Sequence, residues 1–530
     1  MERTPAIKFF ESIPAILAWT TLISMVVASR FIPTWAAVFI IIFDTYWLFK
    51  TIFMSFHLRF TFNRMRENLK VDWLKELELL ESSEALELKT TDSLGKLPKA
   101  TIQQLGQAKS DQTAGMPWRD IYHLVILPMY KESYEVVEES FETLRNMNYP
   151  KDKLIVVLAT EARAGEEARH TAAKIKEKFG NDFYKFLVST HPADIEGELP
   201  GKGSNETWAA KEVKREVIDP LGLKYENILI SVFDVDTQVP PGYFARLVYC
   251  FLSAEHPQRS SYQPIPLFNN NIYEAPLMAR VVALSASFWQ MVQQARPEKL
   301  TTFSSHSMPF KALVEVGFWE TDLVSEDSRI FWQCFLHYDG DWRVVPMLYP
   351  VSMDANVAST FWGTLRNIYA QQRRWAWGAE NVPYVFAGFA ENKNISFKTK
   401  LYWIFNKIEG FHSWATNAIL ILALGWLPLI LGGSNFNETL LSFNLPEITR
   451  FIMTLAALGI VSSALLGVVL LPQKPEWFRR RHYALHVFQW VLMPFTLIVF
   501  GAFPALEAQT RLALGGRFRL GFWVTPKSRG

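Results

Sequence analysis

Residues 227–244 read Asn-Ile-Leu-Ile-Ser-Val-Phe-Asp-Val-Asp-Thr-Gln-Val-Pro-Pro-Gly-Tyr-Phe (NILISVFDVDTQVPPGYF). The β-rich apolar run Ile228–Phe233 ends in Asp234-Val235-Asp236, and Pro240-Pro241-Gly242 then turns the chain. A buried strand that ends this way presents two carboxylates at the carboxyl edge of a sheet, where open α/β sheets place their ligands. Ligation by oxygen alone suits Mg²⁺ or Mn²⁺, ions that commonly clamp a diphosphate. Asp-x-Asp occurs by chance in many chains, so its weight comes from the sequence around it.

Upstream, short apolar runs alternate with helical spacing. Strands are expected at Tyr122–Pro128, Leu154–Leu158 and Phe183–Ser189, and helices at Ser133–Met147, Glu166–Phe179 and 205–216. That alternation means βαβ units and a largely parallel sheet. Downstream, the pattern predicts helices over Pro276–Gln294, Phe310–Val316 and Ile330–Tyr338, with a strand near Trp342–Val345. Before the sheet, residues 71–90 read as an amphipathic acidic helix with Trp73, Leu77 and Leu80 on one side, and 91–118 as a surface linker.

The chain has 530 residues, longer than one ordinary domain. A net charge of +2 gives no global basic field to attract nucleic acid. Cys250 and Cys334 are the only cysteines and lack ligand spacing, which argues against a disulfide framework or a zinc site. Hydrophobic residues make up 49% of the chain and are concentrated in long runs. Ile13–Ser29, Ser413–Gly433, Phe451–Leu471 and Tyr483–Pro504 carry no Asp, Glu, Lys or Arg, and Trp35–Phe56 carries only Asp44 and Lys50. Each is close to the roughly 20 residues that a bilayer requires. Asp44 is expected to face other helices. Arg59, Arg64, Arg66 and Lys70 after the second run, and Lys474 and Arg479–Arg481 after the fourth, place 57–412 in the cytoplasm and 434–450 outside. Pro494 and Pro504 favour a re-entrant or interfacial helix for Tyr483–Pro504, which keeps the basic tail cytoplasmic. The expected organisation is a transmembrane hairpin (1–56), a linker helix and loop (57–119), a sheet domain (120–356), interfacial helices (357–412), a C-terminal membrane region (413–504) and a basic tail (505–530).

Within 357–390 lies Gln371-Gln372-Arg373-Arg374-Trp375. On a helix, Gln371, Arg374 and Trp375 share one face. Arg matches phosphate oxygens bidentately, and an indole offers a flat apolar wall for a sugar ring. A basic amphipathic helix on a membrane surface explains the same pattern, and one helix can serve both roles.

The order Asp-x-Asp, Ser325-Glu326-Asp327, Gln-x-x-Arg-Trp resembles the membrane-bound family 2 glycosyltransferases, the group that includes cellulose and hyaluronan synthases. Phe522-Trp523-Val524-Thr525-Pro526-Lys527 is similar to the Phe-x-Val-Thr-x-Lys gating loop of bacterial cellulose synthase. The resemblance implies an α/β fold with a GT-A-type (Rossmann-like) cytoplasmic domain between transmembrane helices. It also implies a nucleotide-diphosphate sugar donor and inversion at the anomeric carbon. On that basis Asp234 and Asp236 would hold Mg²⁺ or Mn²⁺ and the diphosphate, and Asp327 would be the general base. Lys202, in a shortened form of the family's Lys-x-Gly-x-x-Asn stretch, would join Arg374 at the donor, and Gln371 and Trp375 would meet the acceptor. Phe522, Val524, Thr525 and Lys527 would form the gating loop. Glu161 stands where the family usually has an Asp that binds the nucleotide base, so base recognition is expected to rest on Glu161 or to differ. Neighbouring residues at a helix start point to different faces, so only one of Glu326 and Asp327 is expected to reach the site. His306 is expected to be structural rather than an acceptor contact.

These features imply a multi-pass protein of the plasma (inner) membrane, in contact with membrane lipids, that transfers sugar to a polysaccharide or lipid-linked acceptor. The rivals are a single-addition transferase acting on a lipid-linked acceptor and a non-catalytic scaffold that retains the fold. A transporter fits poorly, because the spans lack internal repeats and paired polar sites.

Overall fold

The apolar runs on either side of residue 228 form the inner strands of one seven-stranded sheet in a computed structural model, which describes residues 4–81, 116–521 and 523. Most of the expected linker, residues 82–90 of the acidic helix, and Phe522, Val524, Thr525 and Lys527 lie outside the described residues. The chain divides into two compact units. One comprises Thr61–Phe268 and Trp289–Asp354 and holds the sheet. The other comprises Met1–Phe60, Asn269–Phe288 and Ala355–Thr525 and is helical.

In the sheet unit, β1 (Tyr122–Pro128) leads to α1 (Tyr134–Arg145), β2 (Leu154–Glu161) to α2 (Glu166–Phe179), and β3 (Lys185–His191) to α3 (Lys202–Val213). Next come β4 (Ile228–Val232), α4 (Tyr243–Leu252), β5 (Ser260–Phe268), β6 (Ser307–Pro309), α5 (Phe310–Glu315), α6 (Glu326–His337) and β7 (Arg343–Met353). The strand order is β3-β2-β1-β4-β6-β5-β7. The first four strands are parallel, with Leu124 beside Ile155 and Ile230. β6 pairs antiparallel with both β4 and β5, and β7 runs parallel to β5.

Helices cover the parallel half, so its strands are continuous apolar runs rather than alternating ones. Val125, Leu127, Val156, Leu158 and Leu229 have no exposed surface and pack in one core with Val137, Phe141, Phe179, Phe244 and Phe251. Each such side chain contributes about 1.5–3 kcal/mol by leaving water. Trp73 and Leu77 of the Trp73–Glu81 helix are buried in the same core, as the amphipathic pattern predicts.

The sequence reading overlooks α4 and β5. β5 contains Pro264 and Pro266, which normally argue against a strand. They alternate with Gln263, Ile265 and Leu267, so the missing donors fall on one side of the strand. On that side β6 meets β5 at Tyr262–Ser307, before either proline, while β7 pairs along β5 with a register shift between Gln263 and Ile265.

Among the described residues, four helices are long and apolar enough to cross a membrane: Pro5–Phe31, Pro33–Asn68, Leu440–Val469 and Arg480–Leu514. The second continues 12 residues beyond the expected end of the hairpin at residue 56. The Ser413–Gly433 run, expected as a span, is not one helix. Phe397–Ile419 passes into a π turn, Leu420–Leu424, and short helices follow at Leu427–Leu431 and Gly433–Asn437. Gly425, Pro428, Gly432 and Gly433 interrupt it, and Gly433 takes a φ of 75° that disfavours other residues. Asp44 is buried, and Lys50 pairs with Glu409 at 2.8 Å.

Phe141 touches the rings of Phe179, Phe183 and Phe186. Phe141→Ala should cost about 3–5 kcal/mol and Phe141→Leu clearly less, read from the denaturation midpoint of the purified protein. Equal midpoints for the two variants would remove Phe141 from the core.

Candidate active site

The carboxyl end of β4 is held on both sides. The Phe233 N–H extends the ladder to the Ile126 carbonyl (3.0 Å), and Thr237 N–H closes a turn on the Asp234 carbonyl (2.8 Å). Ser140 Oγ on α1 donates to the Val235 carbonyl at 2.7 Å. Asp236 is buried, and its Oδ2 accepts the Asp354 N–H at 3.0 Å, which ties the turn to the end of β7. The Asp234 side chain is more open, with 26% exposed.

α3 begins at Lys202, and its first turns are polar yet buried. Ser204, Asn205, Glu206 and Thr207 are each at most 2% exposed. Asn205 Nδ2 donates to the Ala159 carbonyl on β2 (2.8 Å), Ser204 Oγ to the Leu199 carbonyl (3.0 Å), and Thr207 Oγ1 to the Trp319 carbonyl (3.0 Å). Those bonds fix where the Lys202 amine ends. Its Nζ lies 2.8 Å from each oxygen of Asp327, 3.1 Å from Asp234 Oδ1 and 3.8 Å from Glu326 Oε1. Asp234 and Asp327, 93 positions apart in the chain, therefore share one ammonium.

Asp327 and Glu326 open α6 after Ser325. Both carboxylates face Lys202, Asp327 at hydrogen-bond distance and Glu326 at 3.8 Å. The reason is the close approach of α3 to the start of α6. A Cβ on Gly203 would lie 3.0 Å from Glu326 Cβ, so a glycine there lets the helices meet. Accessibility separates the two acids, with the Asp327 side chain 21% exposed and that of Glu326 2%. Thr302 Oγ1 donates to the Asp327 carbonyl at 2.6 Å and fixes the backbone beneath it.

Glu206 went unnoticed in the sequence. Both of its oxygens are buried without a hydrogen-bond partner, one turn along α3 from Lys202. Burial, then repulsion from Glu326, Asp327 and Asp234, holds this carboxyl well above the usual range, against the pull of Lys202. Burial disfavours the charge on Lys202, but Asp234, Asp327, Glu206 and Glu326 outweigh it and hold the amine well above its ordinary value. Carboxylate oxygens of Glu206, Glu326 and Asp327 lie within 4.8 Å of one another, close enough for one ion to bridge. His306 is buried, with Nδ1 2.9 Å from the Phe303 carbonyl and 3.7 Å from Asp327 Oδ1. Burial lowers its pKa, so it is neutral, with Nδ1–H given to the backbone.

Glu161 ends β2 and pairs with Arg163, whose guanidinium lies 4.5 Å over the Tyr130 ring. It does not join the Lys202 cluster. Gln371, Arg374 and Trp375 are half-buried on the Phe361–Ala376 helix of the helical unit, which Thr360 caps through the Gly363 N–H (3.0 Å).

A family model, glycosyl transferase family group 2, matches residues 229–508, just over half of the 530-residue chain. No curated protein matches it. Among solved structures, the chain is similar to a mannosyltransferase from Pyrobaculum calidifontis in complex with GDP-Man and Mn²⁺. The two share 16% identity over 70% of this chain and 97% of that one, with a TM-score of 0.38. It is also similar to S. aureus TarS 1–349 in complex with UDP-GlcNAc, at 12% identity over 75% and 93% of the two chains and a TM-score of 0.34.

Between the unfolded carboxyl pKa and the raised folded one, the folded state holds the Glu206 proton and the unfolded state has lost it, so stability falls as pH rises. Glu206→Gln removes that loss. In chelator, the variant should melt higher than wild type at about pH 8, with the gain gone by about pH 4. A melting temperature at the higher pH that is unchanged or lower would contradict the assignment.

Proposed function

The chain belongs to glycosyl transferase family group 2, and from that premise we propose that it is a membrane-embedded inverting transferase. It moves a sugar from a nucleotide-diphosphate donor to a polysaccharide or lipid-linked acceptor. The observation that carries this reading is the convergence of Asp234 and Asp327 on the Lys202 ammonium. A strand-end acid fit to meet a donor and a helix-start acid fit to meet an acceptor serve one place on a GT-A-type sheet.

In this reading Asp327 takes the proton of the acceptor hydroxyl as the new glycosidic bond forms and the nucleoside diphosphate leaves. Its partial exposure supports that role over the buried Glu326. Lys202 balances negative charge, first of the carboxylates and then of the leaving diphosphate. An oxygen-ligated divalent ion suits the acids gathered here, since carboxylate oxygens of Glu206, Glu326 and Asp327 lie within 4.8 Å of one another and Asp234 shares the Lys202 ammonium with Asp327. Mg²⁺ or Mn²⁺ held by Asp234 and Asp236 would supply Lewis-acid neutralisation of the diphosphate. Gln371, Arg374 and Trp375 are assigned to pyrophosphate and acceptor sugar, Glu161 to the nucleotide base, and Phe522, Val524, Thr525 and Lys527 to the gating loop. The pairing of Glu161 with Arg163 makes base recognition the least supported of these roles.

Membrane embedding is supported by large apolar side chains left open on the long helices, including Ile23 (57%), Phe49 (66%) and Leu458 (65%). Apolar surface of this extent is unfavourable in water and at home in lipid. The Lys/Arg distribution supports a cytoplasmic sheet unit.

A panel of UDP- and GDP-sugars, scored by nucleoside diphosphate release with Mg²⁺ or Mn²⁺ and with chelator, should reveal a metal-dependent donor. Asp327→Asn should lower the rate about 10²–10⁴-fold. Asp234→Ala and Asp236→Ala should abolish release and metal dependence together. Equal rates for Asp327→Asn and wild type would favour the scaffold. Trp375→Ala should impair acceptor use more than donor hydrolysis. A single added sugar, rather than a ladder of products, would identify a single-addition enzyme.

A further inference from the structure

The helix that carries Gln371, Arg374 and Trp375 is gripped from its other side by one carboxylate. Glu507, on the helix Phe503–Leu514, accepts a hydrogen bond from Tyr369 Oη at 2.8 Å through Oε2 and from Arg373 Nη1 at 2.7 Å through Oε1. Arg511 Nε, one turn along from Glu507, donates to the same Oε1 at 2.7 Å. All of these residues belong to the helical unit. At about 100° per residue, Tyr369 and Arg373 lie about 40° apart around their helix, and the Gln371–Arg374–Trp375 arc is centred about 170° away from them. The gripped face and the functional face are therefore opposed.

Two donors one turn apart on a single carboxylate fix a helix in two ways. They set its rotation about its own axis and its position along that axis. An exposed ion pair would do little of this, but the side chains of Glu507 and Arg373 are only 26% and 27% exposed, and both carboxylate oxygens are used. The helix of Glu507 is anchored in turn, since Gln509 Nε2 donates to the Phe411 carbonyl (2.8 Å) and Trp19 Nε1 to Thr510 Oγ1 (2.9 Å).

We infer that Glu507 is a positioning residue for sugar transfer. It holds the Phe361–Ala376 helix in the rotation that presents Gln371, Arg374 and Trp375, and it acts on the reaction only through them. The inference rests on the reading of that face given under the proposed function.

The test uses full-length protein in detergent and a UDP- or GDP-sugar that gives release in the panel. Glu507→Ala should lower kcat/KM about tenfold, because a small misplacement of positioning groups is costly. Glu507→Gln, which still accepts from Tyr369, should recover part of that loss. In an Arg374→Ala background the Glu507→Ala penalty should shrink, and a full tenfold loss there would overturn the proposal. Amide exchange across 361–376 should quicken about tenfold in Glu507→Ala while β1, β2 and β4 stay unchanged. Unchanged exchange in 361–376 would also overturn it. Arg374→Ala with intact release would instead remove the reading of that face, and the positioning role with it, whatever exchange shows.

Discussion

The candidate site is organised by one buried amine among several acids. The Lys202 side chain is 10% exposed and sits within 4 Å of Asp234, Glu326 and Asp327. Like charges crowded away from water repel strongly, and an ion pair stripped of one partner is costly. Lys202 therefore makes the convergence of these acids tolerable. Glu206, the most enclosed of them, meets the surplus of negative charge by holding its proton.

The folded chain supplies what that arrangement requires. α6 directs its N-terminus at the cluster, so Glu326 and Asp327 lie where the helix dipole favours anions. Lys202 occupies the first turn of α3, where the same dipole disfavours a cation. The carboxylates it meets outweigh that penalty. Gly203 gives the two helix starts room to approach, and the buried bonds of Ser204, Asn205 and Thr207 keep α3 from drifting. On the other side of the cluster, Asp236 secures the β4 turn to β7.

The inner strands were legible because strands buried on both faces leave long apolar runs, as around residues 125, 156 and 230. β5 was not, since its prolines normally exclude a strand and only the one-sided ladder explains them. The uncharged stretch 413–433 read as one span because composition reports polarity but not the breaks at Gly425, Pro428 and Gly432-Gly433. Asp234 and Asp327 could be picked out from motif order, whereas Glu206 could not. Its signal, a polar run Ser204–Thr207 where an amphipathic helix should alternate, becomes meaningful only once burial is known. The dual reach of Glu326 and Asp327 was hidden for a similar reason, because it depends on how closely another helix approaches.

On the proposed function, the Lys202 amine marks the place where the donor diphosphate meets Asp234 and Asp327. The most direct test is a calorimetric titration of the full-length protein with UDP and GDP in Mn²⁺, comparing wild type with Lys202→Met. Loss of one charge-assisted contact to a diphosphate should weaken binding at least about tenfold. Equal affinity in the two proteins would put the diphosphate elsewhere and contradict the account.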